Sequence, residues 1–278
     1  MKTALCLHGY FDSDSQFRPG GESVAIAAFK YMKERIIDNP KLGDVDIFVH
    51  TWDEANAEKI EELYKPKSIV VQKQKTFEEE LTNFYAFPEP PGMYSGNTIE
   101  RVLSIQYSRT MAINLKSAQE EADDMKYDCV IVGRFDMGQR GKEYPQKYYV
   151  TNFEFREDYD QENLYCAFWD QFNWGMPDHW FYGGSEVIDT LSTLYDKLPE
   201  YYNPDSDYVK AVTEGWPDSN KGNEFSNEMF NEGKSEDELA TFPLWGAIDN
   251  HKVYKWHLIQ TGLYDKLKPV DFIRDNQP

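Results

Sequence analysis

Tyr127-Asp128-Cys129-Val130-Ile131-Val132-Gly133-Arg134-Phe135-Asp136 is the stretch that decides the fold class. Residues 128–133 contain an unbroken apolar run, closed by a glycine and followed by a cation and an anion two positions apart. A strand that is apolar at successive positions is covered on both faces, the condition of an interior strand in a parallel sheet. On its N-terminal side, residues 101–125 carry Val102, Ile105, Met111, Leu115 and Ala118 at helical spacing, so a long helix leads into it. Further back, residues 3–8, 45–50 and 68–72 read as strands and residues 22–37 and 56–64 as helices. Strands alternating with helices mean βαβ units with right-handed crossovers, and such sheets bind ligands at the carboxyl ends of their strands.

Past residue 140 the periodicity weakens and aromatic residues crowd in. Segment 199–240 holds eleven Asp and Glu against three Lys, with Pro, Gly, Asn and Ser throughout, and reads as an irregular excursion. Helical character returns over 249–267. The expected organisation is a core over 1–198, with the acidic excursion and a C-terminal helical segment, 199–278, packed on the same domain.

The chain has 278 residues, 29 Lys and Arg against 49 Asp and Glu, and a formal charge of −20. That balance argues against nucleic acid as a partner, because phosphate neutralisation needs clustered Lys and Arg. A phosphorylated small molecule stays compatible, since its site needs only local positive charge. Cys6, Cys129 and Cys166 show no C-x-x-C spacing, and the first two lie in apolar runs as buried small hydrophobes do. The longest apolar run, residues 24–29, is six residues against the roughly 20 of a membrane span. No integral membrane contact is expected, and the chain reads as a soluble cytoplasmic protein of a reducing compartment.

Three strand ends carry the residues of a ligand edge. After the first strand comes His8-Gly9-Tyr10-Phe11-Asp12-Ser13-Asp14, where a glycine lets backbone approach a ligand; Arg18 beyond it is either a phosphate contact or a solvated surface residue. The second ends in His50-Thr51-Trp52-Asp53, with Trp52 either a plate for a base or a packed ring, and Asp53 either a ligand group or a helix cap. The third delivers Arg134 and Asp136 to one side of an extended segment, a pair fit for a diphosphate and a divalent cation or for an ordinary ion pair. Near Asp178, aromatic residues at Phe168, Trp169, Phe172, Trp174, Trp180 and Tyr182 suit a sugar, although aromatic residues also fill cores. His251 and His257 are six positions apart, which does not place both on one helical metal face.

With these pieces in place, the chain resembles glycosyltransferases of the GT-A type, and within them the glycosyltransferases of phages, large viruses and bacterial polysaccharide clusters. The landmarks are Val45-Asp46-Ile47-Phe48-Val49-His50-Thr51-Trp52, Tyr64-Lys65-Pro66-Lys67-Ser68-Ile69, Ser104-Ile105-Gln106-Tyr107-Ser108, residues 128–136, and Asp178-His179-Trp180-Phe181-Tyr182-Gly183. They are short, and their joint order over residues 1 to about 195 carries the resemblance. It implies a GT-A, Rossmann-like, mixed and mainly parallel sheet flanked by helices. It implies a nucleoside-diphosphate sugar as donor, held by His8, Gly9, Tyr10, Arg18, Thr51, Trp52, Asp53, Tyr107 and Arg134. It implies a glycan or other hydroxyl acceptor, contacted by Trp180 and Tyr182. Asp178 matches the acid near the acceptor, the candidate catalytic base. Asp136 matches the last acid of the Asp-x-Asp metal motif, with His257 a candidate further ligand to Mn or Mg. Arg134 stands where the first acid of that motif belongs, a departure that leaves metal dependence open.

Two other classes fit parts of the sequence. An α/β-hydrolase would use the His8-Gly9 loop for oxyanion donors, Gly183-Gly184-Ser185-Glu186-Val187 as a nucleophile turn, and Asp249 with His251 or His257. That turn lacks the second glycine of Gly-x-Ser-x-Gly, and residues 178–182 look too polar for the strand before it. A sugar-nucleotide-binding protein without catalysis is the other, and the Arg134 departure is its support.

Overall fold

The computed structural model describes residues 1–11, 24–88, 98–138, 152–168, 172, 175–215 and 244–270. Their strands are β1 (Lys2–Gly9), β2 (Asp44–Thr51), β3 (Ser68–Val71), β4 (Cys129–Arg134), β5 (Leu164–Ala167), β6 (Trp180–Gly183) and β7 (Leu267–Val270). They form one seven-stranded sheet in the order β3-β2-β1-β4-β6-β5-β7. The pairs β1–β2, β2–β3, β1–β4 and β5–β7 are parallel, and β6 runs antiparallel to both of its neighbours. The protein is therefore α/β, with a mixed, mainly parallel sheet flanked by helices.

Burial explains why the interior strands are legible. Ala4, Leu5, Cys6 and Leu7 of β1 and Cys129, Val130, Ile131 and Val132 of β4 are all buried, with both faces of the sheet covered. The three cysteines are free and buried, and burial pushes the Cys6 thiol up to about 12. At the far edge, β7 contains Pro269, which lacks the N–H an interior strand would need.

The helices are α1 (Val24–Met32), α2 (Ala57–Tyr64), α3 (Glu78–Leu81), α4 (Ile99–Asp123), α5 (Ser185–Ser192), α6 (Leu194–Tyr201), α7 (Asp207–Glu214) and α8 (Asn250–Gln260). From β1 the chain steps outward through α1, β2, α2 and β3; α4 then carries it back to β4 on the other side of β1. Strand order thus reverses between β1 and β4, and in open α/β sheets the ligand crevice lies at such a reversal, at the carboxyl ends of the strands.

Four expectations are corrected. The buried face of α4 is not the Val102, Ile105, Met111, Leu115, Ala118 side: Ala118 is exposed, and Gln106, Arg109, Lys116 and Glu120 are buried alongside Val102 and Ile113. The acidic segment is not irregular throughout, because α6 ends inside it and α7 follows with Tyr208, Val209, Ala211 and Val212 buried; residues 216–243 lie outside the described residues. β6 does lead into Ser185, since its four residues are all buried. The segment 249–267 is helical only through α8 and a short turn, and the chain then enters β7.

Candidate functional site

The register aligns His50 of β2 with His8 of β1, and His8 with Arg134 of β4. Residues paired across parallel strands project to the same face, so these three side chains form a row across the crevice. The N-terminal half of α4 crosses this row. His50 Nδ1 meets Ser108 Oγ at 2.7 Å, and the same hydroxyl accepts the Gly9 N–H at 3.0 Å. His50 Nε2 lies 2.8 Å from Gln72 Oε1. With Ser108 donating to Nδ1 and Nε2–H donating to Gln72, the ring is neutral, and burial lowers its pKa in the same direction.

Arg109 is the hub. Its side chain is 2 % exposed, and it donates to His8 Nε2 at 3.4 Å, to Gln106 Oε1 at 3.1 Å and to the main-chain oxygen of Asp178 at 2.9 Å. The guanidinium also lies over the Tyr254 ring, 4.6 Å from its centroid. Among the described residues it has no carboxylate partner. Burial, followed by the charges of Arg109 and Arg134, holds His8 well below the ordinary histidine value, so His8 is a neutral acceptor.

Asp178 is clamped from two directions. Arg109 holds its carbonyl, and Asn250 Nδ2 of α8 donates to its Oδ2 at 2.6 Å. Gln106 Nε2 in turn donates to Asn250 Oδ1 at 2.7 Å, which closes a ring of contacts through α4, the segment before β6, and α8. The other carboxylate oxygen, Oδ1, is 4.0 Å from Arg134 Nη1. Burial raises the Asp178 carboxyl, but the charges of His251, His179, Arg134 and Arg109 outweigh it and hold the group well below the usual carboxylate range. Asp178 is an anion at any working pH and a weak base.

Arg134 and Asp136 share one side of the chain, as their spacing requires, with Nη2 donating to Asp136 Oδ2 at 2.8 Å. Between them Phe135 is buried edge-on against Phe11 and Tyr64, which anchors the turn. Asp136, then Asp178, raises the Arg134 pKa, so its charge is permanent. A divalent cation on Asp136 would have to sit beside this guanidinium. At about 5 Å the repulsion is on the order of 7 kcal/mol for a partly buried pair. Among the described residues no group of three or more His, Cys, Asp or Glu side chains gathers to hold a metal. The described residues do not fit the Mn or Mg that the resemblance implies.

The remaining candidates divide. Gly9 has φ +98°, and among the described residues a Cβ there would meet nothing within 4 Å. Tyr10, which follows it, is 48 % exposed. Thr51 donates to Gly9 O at 2.8 Å and accepts the Asp53 N–H at 3.0 Å; it ties β1 to β2. Trp52 is buried and stacked on Tyr107 at 5.5 Å, with His50 edge-on at 4.7 Å, and is wall rather than an open plate. Asp53 does not cap the following turn; it accepts from Asn56 Nδ2 at 2.9 Å. Arg18, Trp169 and Trp174 lie outside the described residues.

Trp180 and Tyr182 are core residues, 1 % and 0 % exposed. The pleat sends Phe181 toward Arg109 and Tyr254, and Trp180 and Tyr182 to the opposite face, where Phe153 covers both at 5.2 and 5.5 Å. Their rings are not open to an acceptor. His257 is not beside Asp136: its Nδ1 lies 3.1 Å from Tyr201 Oη and its Nε2 3.3 Å from Thr193 Oγ1, and burial holds its pKa down to about 4.

The hydrolase set does not assemble either. Ser185 starts α5 at the end of β6, and because β6 is antiparallel this end lies opposite the crevice. Its hydroxyl accepts from Lys116 Nζ at 2.7 Å, whereas His251 Nδ1 sits 2.6 Å from Met176 O and Asp249 caps α8.

Sequence reasoning gave no role to Gln72, Arg109 and Asn250, nor to Gln106 and Ser108, although those two lie in a landmark of the resemblance. The available signal was on α4: Val102, Gln106, Arg109, Ile113, Lys116 and Glu120 recur at alternating spacings of four and three. That is a buried stripe with polar residues set into it. No family model, no curated protein and no solved structure matches this chain.

Proposed function

We propose that this chain is a glycosyltransferase of the GT-A type that moves a sugar from a nucleoside-diphosphate sugar to a hydroxyl group of a glycan or other acceptor. One arrangement carries the reading: Arg134, Asp136 and Asp178 meet at the strand-order reversal, beside Gly9 and in front of the buried Arg109. Such a crevice is where open α/β sheets bind ligands. The two arginines supply positive charge for phosphate, and the two carboxylates supply acceptors for hydroxyls. The order of short motifs along the first two thirds of the chain supports the same class.

In the transfer, the bond from the anomeric carbon to the diphosphate oxygen breaks, the bond to the acceptor oxygen forms, and the acceptor proton passes to the departing diphosphate, directly or through water. Negative charge grows on the departing diphosphate, where fixed cations stabilise the transition state selectively. Positive charge grows on the sugar, and an Asp178 held ionised in a preset orientation suits that charge and the acceptor hydroxyl better than it suits proton removal.

The test is a thermal-shift panel of nucleoside diphosphates and their sugars. A ligand at a hundredfold excess over its Kd stabilises the folded state by about 2.7 kcal/mol. One base is expected to give a selective shift, and no shift with any base overturns the reading. Nucleoside diphosphate released on adding a hydroxyl acceptor separates a transferase from a protein that only binds. Asp178→Asn is expected to abolish that release while nucleotide affinity stays within about twofold; the Asn250 bond survives because the carboxamide oxygen still accepts.

A further inference from the structure

We infer that Arg134 is the built-in counter-ion of this site and that the donor diphosphate binds without a divalent cation. The inference rests on the glycosyltransferase reading for the identity of the ligand, but its geometry is independent of it. The Arg134 guanidinium makes one hydrogen bond among the described residues, from Nη2 to Asp136, and its Nη1 lies 4.0 Å from Asp178 Oδ1. Nε and Nη1 make none, and the group is partly exposed toward the crevice. The Asp136 carboxylate therefore fixes one corner of a rigid fork and leaves another edge for an incoming anion. A planar guanidinium with two adjacent N–H donors matches two phosphate oxygens in a way a point charge does not.

The neighbours favour the same exchange. On one side of Arg134 in the strand register is His8, whose Nε2 accepts from Arg109 and so adds no competing anion. Behind it Arg109, with no carboxylate within 4 Å among the described residues, adds a second cation that offsets the Asp178 carboxylate 4.0 Å from Arg134 Nη1. Gly9, lacking a Cβ, lets the ligand approach the end of β1.

The experiment uses the full chain and the nucleoside diphosphate selected by the panel, with inorganic pyrophosphate beside it, titrated in EDTA and again in Mn²⁺ or Mg²⁺. Wild type is expected to bind equally well, within about twofold, in all three. Arg134→Gln is expected to lose at least tenfold in affinity, and Arg134→Lys, which keeps the charge but not the fork, to lose less. Arg134→Asp, which sets two carboxylates two positions apart, is expected to bind poorly in EDTA and to recover when Mn²⁺ is added. Nucleotide binding abolished by EDTA in wild type overturns the inference while leaving the glycosyltransferase reading intact, and so does unchanged affinity in Arg134→Gln. Failure of every nucleotide in both EDTA and metal overturns the reading and the inference with it. The EDTA arm needs no variant, so a substitution that unfolds the chain does not block the test.

Discussion

The two ends of α4 each bury a cation, and they treat it differently. At the end far from the crevice, Lys116 is fully buried and meets three acceptors: Asp189 Oδ1 at 2.7 Å, Ser185 Oγ at 2.7 Å and Glu120 Oε2 at 3.0 Å. An ammonium has three donors, and two of these partners are carboxylates, so hydrogen bonding and charge are both satisfied. At the crevice end, Arg109 is equally removed from water, yet its acceptors are an imidazole, a carboxamide and a main-chain carbonyl. Hydrogen bonding is met there by neutral acceptors, and the nearest anion, the Asp178 carboxylate, makes no direct bond to the guanidinium among the described residues. One end is a structural clasp between α4 and α5; the other holds its charge without a carboxylate in contact.

The largest expected effect breaks the clasp. Lys116→Met leaves the Glu120 and Asp189 carboxylates with only the exposed Lys126 between them, and removing one partner of a buried pair costs about 3–5 kcal/mol. Arg109→Met should cost less, about 1–3 kcal/mol, because the stranded acceptors are neutral and a charge with no carboxylate in contact leaves with the side chain. Urea unfolding of both variants checks the order. Nucleotide affinity should move the opposite way, falling at least tenfold in Arg109→Met and staying within twofold in Lys116→Met. Equal stability losses would mean that the two cations are balanced alike.

Acid separates the two ends next. His8 titrates lower in the folded state than its ordinary 6.5, so below that pH the unfolded chain holds the extra proton. The stabilisation from keeping His8 neutral is thus lost as pH falls from 6.5, at up to about 1.4 kcal/mol per pH unit for one proton. His50 and His257 are shifted in the same direction and add to the same limb. Glu120 at the clasp also titrates low: burial raises it, but hydrogen bonds from Ser185, Tyr127, Lys126 and Lys116 outweigh that. Its contribution is present above its ordinary 4.5 and lost only as pH falls below that value. Unfolding measured against pH should show His8→Gln flattening the limb between 6.5 and 4.5, and Glu120→Gln changing only the limb below it.

This contrast also marks what the sequence makes legible. β1 and β4 could be found because an unbroken apolar run has one simple explanation, and Arg134 with Asp136 because extended chain places alternate residues together. The rotation of α4 left only a mixed stripe as its signal, since Arg109 and Lys116 occupy positions that hydrophobic periodicity assigns to solvent, and partners distant in sequence, Asp178 O, Ser185 and Asp189, complete their burial. The Asn250 bond to Asp178 spans 72 positions and leaves no local trace. Trp180 and Tyr182 read as open rings for a related reason: a strand with rings on both faces does not reveal that both are covered, here by Phe153 on one side and Tyr254 on the other.

The smallest expected effect tests how much of the crevice is backbone. Gly9 ends β1 at φ +98°, between the Thr51 bond to its oxygen and the Ser108 bond to its nitrogen. Both bonds are made by main-chain atoms, so an alanine keeps them if the backbone stays where it is. Among the described residues an added Cβ strikes nothing within 4 Å, which leaves conformational strain as the main cost, about 1–2 kcal/mol for a left-handed residue with a side chain. Gly9→Ala should therefore lower stability by no more than Arg109→Met does. Its methyl would project into the space over the end of β1, and a ligand lying between Gly9 and Arg134 would meet it. Calorimetric titration of Gly9→Ala with the nucleotide and with pyrophosphate separates the possibilities. Loss of affinity for both means the phosphates pass over Gly9, between the row of His8 and Arg134 and the exposed Tyr10. Affinity for pyrophosphate kept while the nucleotide is lost moves the phosphates toward β4 and leaves the Gly9 end to the base. Unchanged affinity for both takes Gly9 out of the site and leaves the charge held at the Arg109 end to act through Arg134 alone.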